Sequence, residues 1–294
     1  MTKTDILLVL LMNLIWGCSF TFTGYAVIFY APIFIYSIRG LLSGGLTVAF
    51  NKFPKKSFGR IIIISLLQSF LFAAMGNCIK NVDSSTAAIL IRLDIIFTMI
   101  LGCIFLNEKM NFQTIVGTII CFFAIYIMFS DISFSNLKYV IMMLFGAIAS
   151  GVVNIIVKTI SDVDNKSIVS WSSLLIGIEL MILSLFIENP MILRQSTYKS
   201  IFAIIYLSIF ASYVGYLILY FLLRKYTTEQ IMPYNFTRPI FSMIFGFLIL
   251  DENISLRKII GVAMILFGIG ISEFYSKIKS FFTNKIGQNY KINE

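Results

Sequence analysis

Five charged side chains stand inside long apolar stretches of this sequence: Arg39, Arg92, Asp94, Glu179 and Arg238. A charge in such surroundings is costly unless paired or wetted, so each is a candidate functional group. Asp94 and Arg238 could form an ion pair that gates a passage or holds a solute, or a static buried bridge. Burial favours the protonated form of a carboxyl, so Glu179 could bind and release a proton. It could equally neutralise Arg39, for which a structural role fits better. Three arginines against two carboxylates leave one positive charge in excess. That suits an anionic or zwitterionic solute held by a bidentate guanidinium, and snorkelling of Arg92 to an interface would remove the excess.

Neutral polar and aromatic groups fill out the candidate set. Trp16, Trp171, Tyr213, Tyr216, Tyr220 and Tyr234 could stack on an organic solute, and Asn77, Asn154 and Asn235 could hydrogen-bond it. Tyr213, Tyr216 and Tyr220 follow helical spacing and should share one face, which would serve packing or an interface belt equally well. The sequence contains no histidine, which excludes imidazole catalysis and the HExxH zinc site. Cys18, Cys78, Cys103 and Cys121 lie in apolar runs without metal-type spacing and read as free thiols. Asp162-Val-Asp164 is the nearest thing to an acidic ligand pair, and no GxxxxGK[ST] loop marks a nucleotide site. No cofactor and no metal are expected.

The elements that position these groups must be membrane helices. Hydrophobic residues make up 59% of the 294 and charged ones only 13%, too few to coat a soluble protein of this size. Roughly 20 apolar residues cross a bilayer. Ten candidate spans follow on that ruler, from Ile6–Ala26 through Leu256–Tyr275, joined by short connections and followed by a polar tail at 276–294. The start could imitate a signal peptide, but its apolar run continues without a small-residue cleavage site and reads as a first span. The net charge of +9 falls in loops and tail rather than in a nucleic-acid patch. Basic residues concentrate at Lys3, Lys52–Arg60, Lys109, Lys158, Arg224-Lys225 and the tail. This bias places both termini in the cytoplasm and implies an even number of spans.

The sequence also repeats itself. Leu106-Asn-Glu108-Lys-Met-Asn111 recurs 144 residues later as Leu250-Asp-Glu252-Asn-Ile-Ser255, and Gly117 meets Gly261 at the same shift. Five spans per half forces the halves to enter the membrane with opposite orientation, the inverted repeat of many secondary transporters. The shift also pairs Asp94 with Arg238.

At these residues, and at Trp16-Gly17, Arg39 and Pro239, the sequence resembles EamA-type members of the drug/metabolite transporter superfamily over about Ile6 to Tyr275. The resemblance implies an all-α integral membrane protein of ten transmembrane helices, arranged as two inverted five-helix repeats around a central cavity. The repeats would span 1–137 and 138–275, with the fifth and tenth helices peripheral. Two departures stand out: Asp94-Ile95 where the ninth span has Arg238-Pro239, and Ser150-Gly151 where a Trp-small pair is common. Both positions face the cavity in such proteins, so substrate does not carry over.

The expected solute-binding set is Trp16, Asn77, Arg92, Asp94, Asn154, Trp171, Tyr213, Tyr216, Asn235 and Arg238. Asp94, Glu179 and Arg238 would couple or gate, while Arg39, Glu108, Gly117, Pro239, Glu252 and Gly261 would be structural. The expected activity is secondary active transport of a small organic metabolite across the cytoplasmic membrane, by default export and not catalysis. Uptake of a nutrient, multidrug export, or a non-transporting sensor or assembly role are the alternatives. Expected partners are a small-molecule substrate, the lipid bilayer and coupling protons, with no nucleic acid, in a monomer or weak homodimer.

Overall fold

The structure is a computed structural model that describes residues 1–81, 90–128, 137–188, 192, 194–250 and 255–271. Its elements are helices: α1 (Lys3–Ala26), α2 (Pro32–Val48), α3 (Phe58–Asn81), α4 (Leu93–Leu106), α5 (Phe112–Met128), α6 (Leu137–Thr159), α7 (Asn165–Ile187) and α8 (Tyr198–Lys225). A single turn, Thr228–Ile231, and a 3-10 stretch, Met232–Thr237, lead into α9 (Arg238–Leu250), and residues 256–271 form α10. Among the described residues the β contact is one isolated bridge, Tyr30 to Ile192.

Local chemistry sets the boundaries. Thr2 caps α1 by accepting from the Asp5 amide, and Asp164 caps α7 by accepting from the Ser167 amide. Pro32 opens α2, where its missing N–H costs nothing. Asn107 stops α4 by taking φ 53°, and the Glu108 amide then reaches back to the Gly102 carbonyl.

Five helices, α1, α3, α6, α7 and α8, are long and apolar enough to cross a membrane, and α2, α4 and α5 are shorter apolar helices. Large hydrophobic side chains such as Leu7, Phe105, Phe145, Phe186 and Phe267 are exposed around the bundle. A protein in water rarely exposes so much contiguous apolar surface. Lipid is the solvent of that perimeter, and the chain is a multi-pass membrane protein.

Successive helices alternate in direction, as the polar contacts at the two ends of the bundle record. One end gathers the starts of α1, α3, α5 and α7 with the ends of α4, α6 and α8. The other joins the start of α2 to the end of α7 through Glu188, which accepts from the Ile33 and Phe34 amides at 2.9 Å each. The closest helix approach is α2 on α7. A Cβ added at Gly40 would fall 2.6 Å from the Gly177 nitrogen, so the backbones touch there without side chains between them. The small-residue pair Gly40 and Gly44 therefore marks a real contact. In α10, Gly268 lies against the Gly117 carbonyl and Cys121 of α5, whereas Gly270 faces open space.

Candidate functional site

A cavity of about 80 Å³ lies within the bundle, lined from α1, α2, α3, α4, α6, α8, the 3-10 stretch before α9 and the first residue of α9. The positions contributed by α1, α2, α3, α6 and α8 fall near the middles of those helices, so the cavity sits at depth. A wider groove of about 590 Å³ opens on the flank beside Phe22, Tyr25, Tyr198 and Phe202. Its wall is aromatic and carries Lys199 as its one charge, which fits lipid contact better than recognition.

The central wall carries Arg39, Arg92, Arg238 and Asp94. Arg238 is anchored on α1: its Nε donates to Asn13 Oδ1 at 3.2 Å, and its guanidinium lies 4.1 Å from the Trp16 ring centre. Trp16 is fixed in turn, because its Nε1 donates to the Ala211 carbonyl at 2.9 Å and its ring meets Tyr216 edge-on. Arg39 donates to Ser212 Oγ at 3.2 Å and lies over Tyr36, which stacks flat on Phe72 at 5.1 Å. Arg92 is 1% exposed, and its Nη1 has no partner. Asp94 accepts from Ser150 on one oxygen, while Oδ1 is likewise unpartnered.

Of the expected set, Trp16, Arg92, Asp94, Asn154, Tyr216, Asn235 and Arg238 meet at this cavity. Asp94 and Arg238 face the same space and remain beyond ion-pair distance, so the expected bridge is open in this structure. The ion pairs formed among the described residues are Lys158–Glu108 and Lys225–Asp5, both at the bundle end. Arg238 turns to Trp16 and Asn13 instead, and Asp94 turns to Ser150. Arg92 does not snorkel, for it is enclosed.

Three expected members lie elsewhere. Asn77 donates to the Ala73 carbonyl of its own helix. Trp171 packs on Phe53 and Phe58 at the bundle end and donates to the Lys52 carbonyl. Tyr213 belongs to Leu207–Val214, a π-helical stretch of α8 whose wider turn breaks the spacing that would align it with Tyr216. Tyr216 and Tyr220 do keep their contact, at 5.7 Å. Tyr234 is buried without being on the cavity wall.

Glu179 is also absent from the wall. Its two oxygens accept from Ser65 and Ser69 of α3, at 2.6 Å each, and it does not reach Arg39. Arg39, for which the sequence favours a structural role, lies on the cavity wall. Gln68, Tyr36 and Phe72 also line the cavity. Their sequence signal was weak, since uncharged residues on a long apolar helix look like packing.

The structural set is partly visible. Glu108 accepts from the Thr228 amide and hydroxyl at 2.8 and 2.6 Å and pairs with Lys158 at 2.7 Å. Burial opposes ionisation of Glu108, but the bonds from Lys158 and Thr228 outweigh it and hold the carboxyl below the usual range. Glu229 reciprocates by accepting from the Asn111 side chain at 2.7 Å and Thr114 at 2.8 Å, a partner the sequence did not announce. Gly117 and Gly261 are buried, and Pro239 sits in the first turn of α9. Glu252 and the tail lie outside the described residues. Asp162-Val-Asp164 is spent on Ser57 and on the α7 cap, and no cluster of metal-ligating groups occurs among the described residues.

Comparison with known proteins fits this geometry. The chain is 26% identical over 265 residues to an uncharacterized transporter of Archaeoglobus fulgidus, covering 87% of this chain and 94% of that one. It is 24% identical over 289 residues to a protein of Escherichia coli named "Probable amino-acid metabolite efflux pump", covering 93% and 96%. A solved crystal structure at 10% identity superposes with a TM-score of 0.77 over 94% of this chain and 99% of the other, which shows a shared fold. The model of the EamA-like transporter family matches twice, at residues 3–130 and 137–273. The chain thus belongs to the EamA-like transporter family and is a membrane transporter.

Proposed function

We propose that the protein is a secondary active carrier that moves a small organic metabolite, an amino acid or a related anionic or zwitterionic solute, by alternating access. The observation that carries the reading is the cavity within the bundle at helix mid-depth, whose wall takes charged groups from both halves: Arg39, Arg92 and Asp94 from the first, Arg238 from the second. Two inverted five-helix halves, 1–137 and 138–275, would rock around it. Three observations support that inversion. α1 and α6, first in their halves, run in opposite directions. Residues 144 apart meet where a two-fold axis would pass, as Ser37 with Met181 and Cys121 with the Ile265 carbonyl. Glu108 and Glu229 tie the halves together reciprocally at one end.

That end is cytoplasmic in the topology that the basic residues favour, with both termini in the cytoplasm. Export is the favoured direction, by similarity to the relative named as an efflux pump. A proton gradient is the favoured energy source, with Glu179 as the group that takes up the proton between Ser65 and Ser69.

The test is solute counterflow in proteoliposomes across amino acids and organic acids. Accumulation of a labelled solute, abolished by Arg238→Gln, is the expected result. A folded protein that exchanges none of them would point to a non-transporting role. Glu179→Gln should retain counterflow while losing the response to an imposed pH gradient. If the gradient response survives, Glu179 is not the coupling group.

A further inference from the structure

The charges on the cavity wall do not balance. Arg39, Arg92 and Arg238 face it with Asp94 alone as a counter-charge, because Glu179 is committed to α3. Guanidinium groups stay protonated in proteins, so two positive charges lack a partner. Their present contacts are neutral ones: Ser212 and the Tyr36 ring for Arg39, Asn13 and the Trp16 ring for Arg238. Arg92, buried to 1% exposure, lines the same cavity and has an Nη1 without a hydrogen-bond partner. A buried charge without a partner is strongly unfavourable, which makes the cavity wall electrostatically incomplete.

The partner that completes it must carry negative charge in the same proportion. A zwitterion arrives with its own ammonium group and leaves the excess where it was. A monoanion cancels half of it. We propose that the cavity binds a compact dianion without an ammonium group, a short dicarboxylate or a phosphate ester, with Arg92 as its specificity-determining contact. This rests on the reading of the cavity as the solute site and narrows the solute class within it. Size agrees: about 80 Å³ of free space suits a compact solute and not a nucleotide. Asp94 then has a distinct task. It lies within electrostatic reach of both Arg92 and Arg238 and competes with the solute for them.

Trp16 provides the readout. The chain has two tryptophans, and Trp171 lies away from the cavity. In Trp171→Phe, emission therefore reports on the ring beneath Arg238. Purified protein is titrated with succinate, glycerol 3-phosphate, inorganic phosphate, acetate and alanine, and thermal stability is followed in parallel. Succinate or glycerol 3-phosphate should bind at least about tenfold more tightly than acetate or alanine, given the strength of charge-assisted bonds. Arg92→Gln should weaken the dianion roughly ten- to hundredfold and shift alanine little, while Arg92→Lys recovers part of the loss. Arg39→Gln gives a second reading should Arg92→Gln fail to fold.

Equal affinity for alanine and succinate overturns the proposal. So does an unchanged dianion preference in both glutamine variants, or no response to any dianion by a cooperatively melting protein. Counterflow separates this from the carrier reading. Dianion binding without counterflow sinks transport and leaves the site. Counterflow of alanine but not succinate sinks the dianion and leaves transport.

Discussion

Single residues govern the cavity through what holds each of them in place. Trp16 is clamped by the Ala211 carbonyl, by Tyr216 and by Arg238, so the ring acts as a fixed floor. Gly215 is what lets it lie there, since a Cβ at that position would fall 2.7 Å from the indole Nε1. Gly215→Ala should therefore tilt the ring, shift its emission and cut counterflow strongly, with a smaller change in melting temperature. If emission and counterflow are unchanged, the floor is not rigid. Asp94 is the one counter-charge on the wall, and Asp94→Asn should tighten the binding of anions severalfold while slowing their release. Weaker anion binding in this variant would mean that Asp94 orients the arginines instead of competing for them.

Elements decide which residues can meet. The π-helical stretch Leu207–Val214 spends extra residues on its turns, and this presents the Ala211 carbonyl to Trp16 and the Ser212 hydroxyl to Arg39. A regular α-helix would carry Tyr213, Tyr216 and Tyr220 on one stripe instead. The contact between α2 and α7 is the tightest in the bundle. A Cβ on Gly177 would meet the Leu41 nitrogen at 2.3 Å, backbone against backbone, where neither side can yield by rotating a side chain. Gly177→Ala should destabilise the protein by about 1–3 kcal/mol, the usual cost of overpacking, seen as a lower melting temperature in detergent. Gly45→Ala, which meets nothing within 4 Å, is the control and should melt like the parent.

For the whole molecule the decisive feature is the lock between halves at the bundle end. Glu108 closes on Thr228 and Lys158, and Glu229 closes on Asn111 and Thr114. A hydrogen bond to a charged group contributes more than a neutral one, and the proposed alternating access would have to break these in every cycle. Glu108 has its folded pKa depressed by Lys158 and Thr228 against burial. Its contribution is complete above the unfolded value of about 4.3 and is lost as pH falls through the lower folded value. The parent should thus lose melting temperature below about pH 4.3 more steeply than Glu108→Gln does. Parallel curves would mean that the lock adds nothing to stability. In transport, Glu108→Gln should favour the state open at this end.

The sequence by itself determined the solvent and the class of this protein. Where 59% of residues are hydrophobic and the charges are few, lipid must replace water around the helices. The buried arginines and Asp94 were legible for the same reason, because a charge in an apolar run has to be compensated. Even the shift that pairs residue 94 with 238 could be read from two acidic turns. Sequence spacing could not say where a side chain ends up once helices cross. Tertiary structure removed Asn77, Trp171 and Tyr213 from the cavity, took Glu179 to two serines of α3, and brought Arg39 in. It also left Asp94 and Arg238 facing each other unjoined. The placements of Trp171, Glu179 and Arg39 depend on helix rotation and on contacts between residues more than a hundred positions apart, which no local pattern encodes.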